Sequence, residues 1–356
     1  MRILVTGNMG YVGPVVVRHL RARCPEATLI GHDAGFFADC LTTQDGLPEA
    51  ALDTQHFGDI RDLPPALLDG VDAVVHLAAI SNDPMGSRWE AATAEINARA
   101  SIRLAALAHQ AGVRAFVFAS SCSIYGFAEG GPRREGDALN PLTAYARSKV
   151  AVEDSLHALQ PQAMTVTCLR FATACGMSPR LRLDLVLNDF VAGAVAGREI
   201  TVLSDGSPWR PLIEVRDMAR AVEWAIGRDP AQGGRVLSVN VGSDAWNLQV
   251  RDIATAVAQE VPGTQVSINR AAPPDRRSYR VDFGLFRALA PQHQPRIGLA
   301  EAVRGVRDGL GALGFADAGF REGRLMRLRM LDAVLRRGQL GEDLRRVPPA
   351  AGRVAA

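Results

Sequence analysis

The chain has 356 residues, 22% of them charged, a formal net charge of +2 and five cysteines. That length buries one large core or two lobes, and near-balanced charge excludes a chain organised around a polyanion such as nucleic acid. No apolar run reaches the roughly 20 residues of a membrane span, the N-terminus enters a strand at once, and odd, scattered cysteines without a Cys-x-x-Cys pair argue against disulfides or zinc, so a cytoplasmic protein with no metal, membrane or nucleic-acid partner is expected.

Ile3–Val5 reads as a buried strand. It runs into a turn carrying Gly7, Gly10 and Gly13, and an apolar stretch from Val12 to about Arg23 follows at helical spacing. Strand, glycine turn and helix in this order suit a dinucleotide pyrophosphate. Glycine lets the backbone approach the phosphates, and the helix N-terminus offers unpaired N–H groups. Pro14 falls in the first turn, where a missing N–H costs little. The spacing is Gly-x-x-Gly-x-x-Gly, not the usual Gly-x-Gly-x-x-Gly. Further strands are expected at Thr28–Asp33, Gln55–Gly58, Asp72–Ala79, Ala115–Ser121 and Thr165–Phe171. Long helices are expected at about Trp89–Ala111 and Thr143–Leu159. This alternation predicts an α/β fold with a doubly wound parallel sheet, its strand C-termini along one edge where the ligand crevice opens.

After Phe171 the pattern loosens. A helix is expected at about Leu183–Ala196, a strand at Ile200–Leu203, a helix at Asp217–Ile226 and a strand at Val236–Val241, with helices and short strands over 247–320. The division predicted is a dinucleotide-binding domain of 1–171 plus about 211–241, and a smaller interleaved lobe of about 172–210 plus 242–320. Residues 321–356 carry nine arginines against four acidic residues, a net of +5. Their apolar residues keep helical spacing to about Arg337, which predicts a helix packed on the core with a solvated basic face rather than a membrane or nucleic-acid helix. From Pro348 the tail is expected to be disordered.

Asp33 ends the second strand, where a carboxylate accepts both adenosine ribose hydroxyls and repels a 2′-phosphate. No arginine lies within five residues of it, which favours NAD over NADP. Asp59 and Ile60 follow the third strand and could flank the adenine; Ala78 and Ala79 let backbone approach the cofactor. Of 40 basic residues, Lys149 alone is lysine. It stands four residues after Tyr145, so on a helix the two share a face. A tyrosine acting as base near pH 7 ionises well below its ordinary value, at a cost of about 4 kcal/mol, and a nearby lysine charge supplies part of that.

With these residues in hand, the sequence resembles the extended short-chain dehydrogenase/reductase family, specifically its NAD-dependent nucleotide-sugar epimerases and dehydratases. The matching stretches are Val5–Gly13, Gly58–Asp62, Val75–Ala79, Ala119–Gly126, Tyr145–Lys149, Leu169-Arg170, Asp205–Arg210 and Val215–Asp217. The resemblance implies a Rossmann-type domain with a C-terminal substrate-binding lobe. It also implies NAD held by Gly7, Asn8, Met9, Gly10, Tyr11, Val12 and Gly13, with Leu77 beside Ala78 and Ala79. Ser121 would hydrogen-bond the sugar hydroxyl, Tyr145 would take the C4 hydroxyl proton, and Lys149 would hold the cofactor. Asn97 would steady the cofactor-side site through water. Asn188 and Arg210 would bind the substrate diphosphate, as would Arg277 or its neighbour Arg276. Homodimers are implied by the same resemblance.

Departures bear on the reaction. The 4,6-dehydratases carry an Asp-Glu pair where this chain has Cys122 and Ser123, which argues against dehydration and for C4 epimerisation. Cys122 is either an acid/base cysteine of a 3- or 5-epimerase or a small packing residue. A 4-ketoreductase and a cofactor-sensing scaffold are the further alternatives. Thr173 replaces a common asparagine at a substrate contact, and Ser81 either touches the sugar or belongs to a polar turn.

Overall fold

In the computed structural model, residues 1–128, 130–272 and 277–347 are described. In chain order the strands are β1 (Arg2–Thr6), β2 (Thr28–Asp33), β3 (Thr54–Phe57), β4 (Ala73–His76), β5 (Ala115–Ser121) and β6 (Thr165–Phe171). There follow β7 (Thr173–Cys175), β8 (Glu199–Val202), β9 (Trp209–Glu214), β10 (Val236–Val241), β11 (Asn247–Gln249) and β12 (Gln265–Ile268). The main sheet has seven strands in the order β10-β6-β5-β4-β1-β2-β3, paired in parallel throughout. Its centre is dry: all seven residues of β6 are buried. The polar residues of β6 are buried too, Thr167 bonded to Arg228 and Arg170 paired with Glu153.

The strand order reverses between β1 and β4, and the crevice opens there beyond the strand C-termini. Two smaller sheets form the facing wall, one of β11-β9-β7 and one of β12-β8. The helix Gly13–Arg23 starts from the glycine turn, with Pro14 in its first turn. The helix Ala144–Leu159 is capped by Thr143, whose hydroxyl accepts from the Ala146 N–H at 3.1 Å.

Three expectations change. The fourth strand stops at His76, so Leu77–Ala79 form a loop along the crevice. The long helix expected over Trp89–Ala111 runs without a gap from Glu90 to Gln110 but widens into a π-helical stretch at Ala94–Arg99. Such wide turns recur at functional sites, and this one carries Asn97. At the C-terminus the helix Arg327–Arg336 does pack on the core, burying Met330, Leu331 and Val334 beside Leu4, Ile30 and Trp89. Its first arginine is not solvated, however: Arg327 is 2% exposed. The tail from Pro348 lies outside the described residues, and among those no helix is long and apolar enough to cross a membrane.

Candidate active site

The crevice encloses about 930 Å³, room for a dinucleotide together with part of a second ligand. Its floor is the glycine turn. Gly7 has φ +75°, and a Cβ there would stand 2.5 Å from the Ala78 nitrogen. Any side chain at Gly7 would push β1 and the Leu77–Ala79 loop apart. A Cβ on Gly13 would stand 2.5 Å from Asn8 Cα. Gly7, Gly10, Tyr11, Val12 and Gly13 line the crevice; Asn8 and Met9 do not. Asn8 is buried, donating Nδ2 to Gln55 Oε1 at 2.6 Å, and the Met9 N–H donates to Asp33 Oδ2 at 3.0 Å. These two therefore shape the turn from behind rather than facing a ligand.

Asp33 lines the crevice at the end of β2. Gly35 N donates to its Oδ1 at 2.7 Å. Burial pushes its carboxyl up, against these two backbone donors. Asp59 and Ile60 line the same end. Burial works to raise the Asp59 carboxyl, but Arg61 at 2.5 Å outweighs it and holds the group below the usual carboxylate range.

At the other end, Ser121 ends β5 opposite Tyr145 and Lys149, one helical turn apart. The Ser121 Oγ accepts from the Ser123 N–H at 3.1 Å, and the Ser121 hydroxyl stands where it lowers the Tyr145 phenol. Burial pushes the phenol up to about 12, the Ser121 hydroxyl and the Arg182 charge opposing and Asp83 adding to the rise. Lys149 Nζ donates to Ala119 O at 2.7 Å and lies 5.4 Å from the Tyr145 ring centre. Burial pulls its ammonium down to about 7, against the favourable charge of Glu153. In the cofactor-free protein desolvation dominates the phenol, and the groups opposing it are Ser121 and Arg182 rather than the expected Lys149.

Beneath these residues runs a buried network the motifs did not reveal. Glu153, one turn past Lys149, pairs with Arg170 at 2.7 Å, and Arg170 Nη1 donates to Tyr125 Oη at 3.0 Å. The i, i+4, i+8 spacing of Tyr145, Lys149 and Glu153 was the available signal. His76, between Thr6 and Ser101 hydroxyls at 2.6 and 2.7 Å, is held neutral by burial and by the Lys149 charge, pulled down to about 3.

Of the residues expected at the sugar, Ser81, Ser123, Thr173, Arg210 and Arg277 line the crevice. The Ser123 hydroxyl is buried with no partner among the described residues. Arg210 Nη1 donates to Trp209 O at 3.0 Å, and Arg277 Nη1 pairs with Asp83 Oδ2 at 3.2 Å. Arg276 lies outside the described residues. Besides Asn8 and Met9, three further expected residues do not reach the crevice. Cys122 is fully buried, donates its thiol to Arg170 O at 3.0 Å, and is pushed up strongly by burial, so it packs under β5. Asn188 is fully buried; it accepts from Gly176 N at 3.0 Å and donates to Tyr11 Oη and Arg182 O at 3.0 and 2.9 Å. Asn97 spans Ile80, accepting from its N–H at 2.8 Å and donating to its C=O at 2.9 Å. Both asparagines lock loops that border the crevice. The reading from sequence missed Arg182, Tyr279 and Arg327, all lining it.

The cradle at Gly7, the Asp33 carboxylate and the Tyr145–Lys149 face fit a nicotinamide dinucleotide. A sequence profile described as "NAD dependent epimerase/dehydratase family" matches residues 3–242. The UDP-glucose 4-epimerase of Mycolicibacterium smegmatis is 29% identical over 317 residues, covering 85% of this chain and 96% of that protein. The dTDP-glucose 4,6-dehydratase of Streptomyces griseus is 28% identical over 318 residues, covering 87% and 92%. Among solved structures, MoeE5 in complex with UDP-glucuronic acid and NAD superposes with a TM-score of 0.75 at 25% identity, over 88% of this chain and 100% of that one. A Rossmann-like seven-stranded sheet, a dinucleotide cradle and a Ser/Tyr/Lys face thus occur together in a chain that belongs to the NAD-dependent epimerase/dehydratase family, enzymes of nucleotide sugars with NAD as cofactor.

Proposed function

We propose that the enzyme inverts C4 of a nucleotide-activated hexose through a transient 4-keto sugar. The observation that carries this reading is the Ser121–Tyr145–Lys149 face with no carboxylic acid at Cys122 or Ser123, positions where dehydratases hold an acid and a base. Tyr145 takes the C4 hydroxyl proton and later returns it. Ser121, which lines the crevice together with Tyr145, orients that hydroxyl. Lys149, held by Ala119 O, donates its remaining N–H groups toward the ribose beside the nicotinamide. Bound NAD supplies hydride acceptance at C4, hydride return to the opposite face, and a positive ring that favours the phenolate. Arg210 and Arg277 clamp the diphosphate by charge-assisted bonds, Arg277 exchanging Asp83 for phosphate.

The burial of Cys122 weighs against a cysteine-dependent 3- or 5-epimerase. One observation favours a second reading: Asp83 lines the same crevice as Tyr145 and carries a carboxylate of the kind a dehydratase uses as base for loss of water. Incubating the purified enzyme with UDP- and dTDP-hexoses in D2O and following products by NMR separates these. C4 inversion without solvent deuterium supports the proposal. Deuterium at C3 or C5, or a 4-keto-6-deoxy product, overturns it.

A further inference from the structure

The crevice has a wall that neither the dinucleotide motifs nor the sugar motifs account for. It comes from the C-terminal segment, beyond the residues 3–242 that carry the family pattern. Helix Arg327–Arg336 buries its apolar residues in the core, while Arg327 at its start lines the crevice. The Arg327 guanidinium sits 4.7 Å over the ring of Phe37, four residues past Asp33, and its Nη2 donates to Arg180 O at 2.8 Å. Its Nη1 is buried with no hydrogen-bond partner among the described residues.

The neighbouring cations have carboxylate partners and Arg327 has none, although Arg180 too leaves its Nε buried with no partner among the described residues. Arg180 pairs with Glu49 at 2.5 Å and Arg182 with Asp184 at 2.6 Å. Arg327 forms no ion pair among the described residues, and burial, with the Arg182 and Arg180 charges, pushes its guanidinium down against the opposing effects of Cys40 and of the Asp184 carboxylate. A buried, uncompensated cation is unfavourable in the free protein, so its cost is offset only when an anion arrives.

A second contact from the same segment holds the mouth of the dinucleotide side. Leu340 and Arg346 form a bridge, and Arg346 donates Nη2 and Nε to Ala34 O at 2.8 and 3.1 Å, on the residue after Asp33. Arg345 pairs with Asp62, and Arg61 donates to Asp343 O at 2.9 Å. The segment therefore ties down both loops that carry Asp33 and Asp59–Ile60.

We propose that Arg327 binds the diphosphate of NAD, and that residues 325–347 form a clasp closing the dinucleotide side of the crevice. A guanidinium presents paired N–H donors to phosphate oxygens, complementing the N–H groups of the glycine turn that lines the same crevice. The proposal does not depend on which sugar carbon reacts.

Calorimetric titration of NAD-stripped wild-type and Arg327→Met protein with NAD, ADP and UDP tests it, alongside thermal melts without ligand. Expected is a loss of about 10- to 100-fold in affinity for NAD and ADP, unchanged UDP affinity, and an unchanged or higher melting temperature, since an apolar side chain of similar length replaces a buried charge. NAD and ADP affinities within twofold of wild type overturn the proposal. So does weakening of UDP alone, which assigns Arg327 to the sugar nucleotide, or a lowered ligand-free melting temperature, which assigns it to folding. Should Arg327→Met fail to fold, Arg327→Lys carries the same titrations: a compact charge keeps part of the NAD affinity under the proposal. Lysine affinities for NAD and ADP equal to wild type show that the planar fork is not used, and overturn it. Arg346→Ala tests the clasp: NAD escapes several-fold faster on dialysis, and an unchanged rate overturns that part.

Discussion

The two ends of the crevice are built from different materials. At the dinucleotide end the groups are backbone and short side chains fixed by the main sheet: Gly7 against Ala78, Asp33 held by Met9 and Gly35 N–H groups, Lys149 tied to Ala119 O. At the sugar end they are long side chains on the facing wall. Arg210 stands on β9, and the Arg277 side chain is 52% exposed and held by an exchangeable ion pair with Asp83. The first arrangement changes only if the sheet moves. The second changes by single substitutions that leave the fold alone. This difference explains why family membership determines the cofactor while the reaction on the sugar varies among relatives of equal identity.

The comparison breaks most visibly at the tyrosine. Tyr145→Phe is expected to lower kcat by about 10³-fold or more, with NAD content after purification unchanged. Full turnover by this variant would remove the proposed base. Gly7→Val addresses the sheet-fixed end: its Cβ meets the Ala78 backbone at 2.5 Å and φ stays at +75°. Bound NAD, measured by absorbance after denaturation, is expected to fall to about a tenth of wild type or less.

Lys149→Met is expected to cost about 10²-fold in kcat/KM, and it carries a pH signature. The ammonium titrates at about 7 in the folded protein, against 10.5 for the ordinary side chain. Between those values the unfolded chain holds one more proton than the folded one, so the unfolding free energy rises with pH, by up to about 1.4 kcal/mol per pH unit. Below about pH 7 the full penalty of the buried charge is present. Denaturant melts of the cofactor-free variant from pH 7 to 10 should show that slope flattened; an undiminished slope places the titration elsewhere. Smaller effects belong to the exchangeable end. Arg210→Ala and Arg277→Ala are each expected to raise KM by about tenfold with kcat nearly kept. A fall in kcat equal to the loss in kcat/KM would mean that the arginine acts only in the transition state.

The same contrast governs what the sequence made legible. Strands β2, β5, β6 and β10 match their expected bounds residue for residue, because each holds a block of buried, mainly apolar residues. The glycine turn and the Tyr145–Lys149 face were readable for the same reason: their residues are neighbours in sequence. The π-helical stretch at Ala94–Arg99 was not readable, since one added residue per turn leaves composition unchanged. Arg346 also escaped, though it lies against Ala34: 312 residues separate the two. A local search around Asp33 could not find it. Polar residues at buried positions were the other source of error. Asn188 and Asn97 carry side-chain amides that suit a ligand but bond mainly to backbone groups, and Asn8 gives its Nδ2 to Gln55 while its Oδ1 is buried with no partner among the described residues.

The smallest expected effect gives the sharpest contrast, because it concerns the residue next to Ser121. Ser121 faces the crevice and Cys122 points into the core, as alternation at the end of a strand requires. Cys122→Ser keeps a donor for Arg170 O and loses a little apolar contact. The expected outcome is kcat within about twofold of wild type and a loss of about 1 kcal/mol in stability, read by turnover and by denaturant melts. Ser121→Ala, one residue away, is expected to lower kcat by about 10²-fold and to cost about 1 kcal/mol of stability through the lost cap on the Ser123 N–H. Reversal of the two results, with Cys122→Ser inactive yet folded, would return the thiol to the chemistry and replace C4 inversion by proton exchange at a neighbouring carbon.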